Sequence, residues 1–179
     1  MTLVLLIGGA RSGKSDLAVQ LAREQESAVA FLATGQGGDA EMAARITQHQ
    51  RDRPATWETI EEPLRLRDAI ATQRDDTCLI IDCLTLWTAN ALEQLGVAQA
   101  AADAADAATA GAGRRGLTIV VTNEVGLGIV PEGPLGRSYR DLLGSVNAIW
   151  AAAADHVFLM VAGRALSLPK TDSLSEIVR

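Results

Sequence analysis

Five short runs along the chain are apolar almost throughout: Leu3–Ile7, Ala28–Ala33, Thr77–Asp82, Leu117–Thr122 and His156–Val161. Runs of this length that do not alternate apolar with polar side chains predict strands covered on both faces, as in a parallel sheet. Between them the pattern changes to a helical period. Lys14–Glu26 follows the first run, and Asp39–Asp52 opens on an aspartate suited to capping a first turn. Leu135, Tyr139, Leu142, Leu143, Val146, Ile149 and Ala153 recur at helical spacing and predict an amphipathic helix before the last run. Val97–Gly113 is dominated by alanine with Asp103 and Asp106 interspersed, which predicts a surface helix rather than a linker. Gly111, Gly113 and Gly116 would end it. The alternation predicts an α/β fold, a mostly parallel sheet flanked by helices. Neither a repeat nor a linker-like break divides the chain, so residues 1–179 are expected to form a single domain.

Composition narrows the picture in two ways. Hydrophobic residues make up 48% of the chain but aromatics only 3%, so the core has to be built from Ala, Val, Leu and Ile. A formal net charge of −6 argues against a protein that coats nucleic acid or an anionic membrane. Any phosphate site must therefore come from a few placed groups. Cys78 and Cys83 lie five apart in an extended segment, point to opposite faces, and are expected to be reduced and structural. The N-terminus lacks a basic region ahead of its short apolar run, and no segment reaches the roughly 18 apolar residues of a membrane span. These features lead to the expectation of a cytoplasmic protein without a membrane span.

Directly after the first run comes Gly8-Gly9-Ala10-Arg11-Ser12-Gly13-Lys14-Ser15, which fits G-x-x-x-x-G-K-[ST] with a strand before it and a helix after it. Gly8 and Gly13 let the backbone curl so that successive N–H groups point at phosphate oxygens. Lys14 brings a full charge to the β- and γ-phosphates, Ser15 offers a hydroxyl to Mg²⁺, and the helix adds its positive end. The motif specifies a nucleoside triphosphate but no particular reaction. Asp82 ends the third run; it either holds Mg²⁺ or serves only as the N-cap of the helix beyond. Asn123 and Glu124 follow the fourth run, where they either face the ligand crevice or satisfy the turn of the Gly-rich loop Thr122–Pro131.

Only two histidines are present. His156 begins a strand with no charged cluster around it and reads as structural. His49 shares a helix face with Arg45, and with Arg53 if the helix continues. An imidazole among guanidinium groups suits contact with, or attack on, a phosphate. From the residues alone, a histidine on a polar helix is more often simply a solvated residue.

Taken together, GGARSGKS at Gly8–Ser15, FLATG at Phe31–Gly35, EMAARITQHQRDRP at Glu41–Pro54, WETIE at Trp57–Glu61, Leu79–Thr85 and TNEVGLGIVP at Thr122–Pro131 resemble a known family. It is the bifunctional adenosylcobinamide kinase / adenosylcobinamide-phosphate guanylyltransferase family of cobalamin biosynthesis, and the likeness runs from Leu3 to about Gly163. The resemblance implies a RecA-like P-loop fold, a homotrimer, and two reactions at one site. The first phosphorylates the hydroxyl of adenosylcobinamide with ATP or GTP. The second moves GMP from GTP onto adenosylcobinamide phosphate through a guanylyl-histidine, which by position is His49. The resemblance also implies that Lys14 serves catalysis, that Ser15 and Asp82 hold Mg²⁺, and that Arg51 and Arg53 contact the transferring group. Further nucleotide contacts are implied at Gly9, Ala10, Arg11, Ser12, Ala33, Thr34, Gly35, Gln50, Asp52 and Glu61. Asp82 stands where family members can carry glutamate.

Two competing readings explain less. A monofunctional P-loop kinase accounts for Gly8–Ser15 and Asp82 but leaves His49 idle. A guanine-nucleotide switch would read its base with N-K-x-D, whereas Asn123-Glu124-Val125-Gly126 lacks both the lysine and the aspartate.

Overall fold

The computed structural model describes residues 2–36 and 54–170. Each predicted apolar run is a strand, within about two residues at either end: β1 (Thr2–Gly8), β2 (Val29–Ala33), β4 (Cys78–Asp82), β5 (Leu117–Asn123) and β6 (His156–Val161). Two further strands, β3 (Glu58–Glu61) and β7 (Arg164–Ser167), escape the apolar pattern because both are four-residue edge strands with mostly exposed side chains. The helices are α1 (Lys14–Arg23), α2 (Leu66–Ala71), α3 (Leu84–Ala112) and α4 (Pro134–Ala153). The expected helix Asp39–Asp52 lies outside the described residues. No helix among the described residues is long and apolar enough to cross a membrane.

The described strands form one sheet in the order β3-β2-β4-β5-β1-β6-β7, parallel except for the terminal β6–β7 hairpin. Alternate residues sort the core into two layers, as the period of a strand requires. Leu3, Leu5, Leu79, Ile81 and Val120 pack with residues of α2, α3 and α4. Val4, Leu6, Ile80, Ile119 and Val121 pack with Ala18 and Ala22 of α1. The chain leaves β1 toward β2 through α1, but after β5 it crosses β1 and continues as β6. The strand order thus reverses around β1, the kind of point where an open α/β sheet opens a crevice beyond its C-terminal strand ends.

The alanine-rich stretch is helical but is not a surface helix. α3 begins at Leu84, far upstream of the expected Val97, and turns at Gly96, where φ is 77°. Ala100, Ala104, Ala107, Ala108 and Gly111 are buried on one stripe. A Cβ on Gly111 would stand 3.1 Å from the ring of Trp150 in α4, so small residues set how closely the two helices approach. With few aromatics to fill space, close backbone approach replaces bulk. His156, in keeping with its structural reading, stacks on Phe158 at a centroid distance of 6.4 Å and stands at the end of β6 remote from the crevice.

Ala104 and Ala105 separate the two faces of α3. Ala104→Leu should overpack the α3–α4 contact and lower stability by about 1–3 kcal/mol. Ala105→Leu, on the exposed side, should change it by no more than about 0.5 kcal/mol. Urea unfolding of both variants measures the contrast.

Candidate active site

The register of the sheet brings the sequence-predicted residues to one level. Gly8 stands beside Asn123 on one flank and Met160 on the other; Ala33 stands beside both Asp82 and Glu61. All are at or next to the C-terminal ends of their strands, which is why motifs scattered through the sequence face one crevice.

The loop between β1 and α1 is held on both sides. Gly8 accepts a hydrogen bond from the Glu124 N–H at 3.1 Å, and Ser12 accepts one from the Gly163 N–H at 3.0 Å. Gly163 belongs to the β6–β7 turn, in which Ala162 and Gly163 both have positive φ, 50° and 75°. Gly8 has no freedom to carry a side chain, because a Cβ there would lie 2.3 Å from the Met160 carbonyl oxygen. Gly13 caps α1 in the left-handed region at φ 91°, and Gly163 packs against it. Arg11 also has a positive φ, 55°, and is exposed.

Lys14 is buried, and its Nζ donates to the Gly9 carbonyl at 2.7 Å and to Ser12 Oγ at 3.2 Å. Burial depresses its pKa, while Cys83, once ionised at high pH, and the Asp82 carboxylate oppose the fall. The Asp82 carboxylate is thus close enough to be felt by the ammonium. The N-cap of α3 is Cys83, so Asp82 is not the helix cap that one reading of the sequence made it. Ser15 is half-buried in the first turn of α1. Among the described residues no cluster of three or more His, Cys, Asp or Glu could hold a metal. Mg²⁺ requires no such cage, since one or two carboxylates and the phosphates of a nucleotide suffice, and Ser15 with Asp82 offers the hard oxygen donors it prefers.

The backbone beyond β2 and β4 is tied by polar side chains. Thr34 is buried; its hydroxyl donates to the Cys83 carbonyl at 2.6 Å and accepts from the Cys83 N–H at 3.0 Å. Asn90 donates to the carbonyls of Thr34 and Pro63 at 3.0 and 3.1 Å. Beyond β5, Thr85 Oγ1 accepts from the Asn123 N–H at 2.8 Å, and Asn147 donates to the Asn123 carbonyl at 3.0 Å. Tyr139 donates to the Thr85 carbonyl, and burial pushes its pKa up to about 12. The Glu124 carboxylate accepts the Gly126 N–H, consistent with the turn-forming reading of that residue.

Gly9, Ala10, Gly35 and Glu61 lie on the crevice-side loops and strand ends, and Gly9, Ala10 and Glu61 are exposed. His49, Gln50, Arg51, Asp52 and Arg53 lie outside the described residues. Thr85, Asn90, Asn147 and Gly163 were not singled out from sequence. One signal was available for Asn147: it is an amide between Val146 and Trp150 on the buried face of α4, where a polar group needs a partner.

Gly8→Ala should displace β1 from Met160 and lower nucleotide affinity by about tenfold or more, whereas Gly9→Ala, with open space around its Cβ, should be tolerated. Titration with a fluorescent nucleotide distinguishes them. A pH effect follows from the thiols. Burial raises Cys78 and Cys83 from 9.0 to about 11, so the unfolded chain ionises first and binds fewer protons in that window. Their stability contribution is intact below about pH 9 and lost as pH rises through about 11. Urea midpoints should fall across that range, and less steeply in Cys78→Ala.

Comparison with known proteins agrees with this geometry. The family model described as cobinamide kinase / cobinamide phosphate guanyltransferase matches residues 4–168. The bifunctional adenosylcobalamin biosynthesis protein CobP of Pseudomonas aeruginosa is 43% identical over 171 residues, covering 92% of this chain and 95% of that protein. The proteins CobU of Salmonella typhimurium and Escherichia coli are 41% and 38% identical over 175 residues, each covering 90% of this chain and 96% of the relative. Among solved structures, an ATPase from the type III secretion system of pathogenic bacteria superposes with a TM-score of 0.61 at 10% identity. That match spans 99% of this chain and 61% of the ATPase. A protein from Pyrococcus horikoshii OT3 superposes at 0.56 with 7% identity, spanning 93% of this chain and 85% of its own. These two likenesses establish the fold alone, a mostly parallel α/β sheet flanked by helices. With its family match over residues 4–168 and relatives 38–43% identical across nine tenths of its length, the chain belongs to the bifunctional cobinamide kinase / cobinamide phosphate guanyltransferase family of cobalamin biosynthesis.

Proposed function

We propose that one crevice serves both reactions, with adenosylcobinamide as the kinase acceptor and His49 as the carrier of GMP. The observation that carries this reading is the convergence of the Gly8–Ser15 loop with Lys14 at the end of β1 and of Asp82 at the end of β4, on either side of β5, a single place for a triphosphate. In the kinase step the acceptor hydroxyl oxygen attacks the γ-phosphorus of ATP or GTP. A new P–O bond forms, the bond to the β-phosphate oxygen breaks, the nucleoside diphosphate leaves, and the hydroxyl proton is released to water. Lys14 neutralises charge on the β- and γ-phosphates, and loop N–H groups hold their oxygens. Ser15 and Asp82 would hold Mg²⁺, which supplies charge neutralisation to the phosphates when bound.

In the guanylyl step a neutral His49 nitrogen attacks the α-phosphorus of GTP. A P–N bond forms as the bond to the β-phosphate oxygen breaks, and pyrophosphate leaves with the electron pair. A phosphate oxygen of adenosylcobinamide phosphate then attacks the same phosphorus, the P–N bond breaks, and the imidazole is restored. Arg51 and Arg53 offer cations to the transferring group. Gly9, Ala10, Arg11, Ser12, Ala33, Thr34, Gly35, Gln50, Asp52 and Glu61 complete the nucleotide contacts, and Asn123 and Glu124 flank them. Support for these roles comes from the family motifs in Phe31–Glu61 together with the level register of Ala33, Glu61 and Asp82.

Residues 1–179 act in this reading as a single cytoplasmic P-loop domain that assembles as a homotrimer. The edge strand β7 favours assembly, because its backbone edge and Leu166 are exposed.

Purified protein mixed with Mg²⁺ and GTP labelled at the α-phosphate should gain the mass of GMP on His49. Peptide mapping that finds no adduct on folded, GTP-binding protein would sink the guanylyl-histidine route. His49→Ala should abolish GMP transfer and retain kinase turnover, since the γ-phosphate is not attacked by the imidazole. Lys14→Ala should reduce both activities by roughly 10²–10³-fold. Normal guanylyl transfer in that variant would refute the shared site.

A further inference from the structure

The loop that leaves β5 exposes an apolar surface at the rim of the crevice. Leu127 is 86% exposed, Ile129 97%, Val130 58% and Val125 37%, and Leu135 of the first turn of α4 is 73% exposed. These side chains do not hang on an untethered segment. At its start the Glu124 N–H is bonded to Gly8, and the Glu124 carboxylate takes the Gly126 N–H. At its far end Arg137 donates to the carbonyls of Pro131 and Glu132, and Gly136 leaves room for the Pro131 ring, 2.9 Å from where its Cβ would be. Several large apolar side chains exposed together on one tethered loop mark an interaction surface.

We propose that this patch is the docking face for the corrin ring of the acceptor. The inference rests on the family's cobinamide kinase activity and on the P-loop as its phosphoryl site. A cobinamide hydroxyl must reach the phosphates bound at Gly8–Ser15, yet the macrocycle carrying it is too large to follow into a crevice between strand ends. It must rest on protein next to the loop. The Val125–Val130 segment begins at the residue hydrogen-bonded to Gly8 itself, so its apolar side chains lie within one flexible arm of the phosphates. Gly126 and Gly128 alternate with the apolar residues, and a Cβ on Gly128 would meet nothing within 4 Å. Such a surface is low between its apolar side chains and suits the face of a broad macrocycle. A second copy of the chain is a weaker fit here. The unpaired backbone edges that would recruit one are those of β7, on the opposite flank of β1, and of β3, three strands beyond β5.

The test is the full-length double variant Leu127→Ser/Ile129→Ser, assayed for cobinamide phosphorylation, GTP affinity and native mass. The KM for cobinamide should rise about tenfold or more with kcat at saturation nearly unchanged, the signature of lost uniform binding. GTP affinity and native mass should remain those of the parent. The conservative pair Leu127→Met/Ile129→Leu, which keeps apolar area, should retain the parent KM. An unchanged KM in the serine variant overturns the proposal. So does a fall in GTP affinity matching the rise in KM, since the loop would then be acting through Gly8. Dissociation to a smaller species also overturns it and assigns the patch to a second copy. GMP adduct formation needs no corrinoid, so the adduct assay on the parent protein judges the His49 route separately.

Discussion

The constraint on which the site depends is the contact between the end of β1 and its two neighbours. Gly8 fits only because it lacks a side chain against the Met160 carbonyl, and the loop beyond it is bonded to Glu124 on one flank and Gly163 on the other. A phosphate-binding loop must present its N–H groups before the ligand arrives, because ordering them on binding would cost affinity. Here the sheet supplies that order. β5 and β6, the partners of β1, continue directly into the residues that hold the loop.

The electrostatics follow from the same arrangement. In a chain of net charge −6, a phosphate site cannot rely on general attraction. One buried ammonium does the local work, and burial strengthens its field while depressing its pKa. Asp82, at the end of β4, counters that depression. One crevice thus offers a cation and a carboxylate, the two charges that a magnesium triphosphate needs. Polar side chains behind them hold the strand ends level: Thr34 and Asn90 at β2 and β4, Thr85 and Asn147 at β5.

Packing elsewhere serves this crevice. α3 and α4 approach closely through alanines and Gly111, and the end of α3 nearest the crevice carries Thr85 and Asn90. The alanine-rich stretch looked like a solvent-facing helix because its aspartates stand out and its alanines give almost no moment. Burial of alanine is decided by what approaches it, and that partner lies some forty residues later in the chain.

The sequence by itself determined the central strands, the position of α4 and the phosphate loop, because each depends on local signals: unbroken apolar runs, helical spacing and a motif read in context. It also carried the family, through motifs in order along the chain. The edge strands β3 and β7 were not legible, since a short exposed strand exists only by pairing with a neighbour. Tertiary structure alone decided that Asp82 comes within electrostatic reach of Lys14, that Cys83 rather than Asp82 caps α3, and that a glycine in the final hairpin braces the loop near the start of the chain. Those facts join residues up to 151 positions apart, as Ser12 and Gly163 are, and a strand order with a crossover at β1 is what brings them into contact.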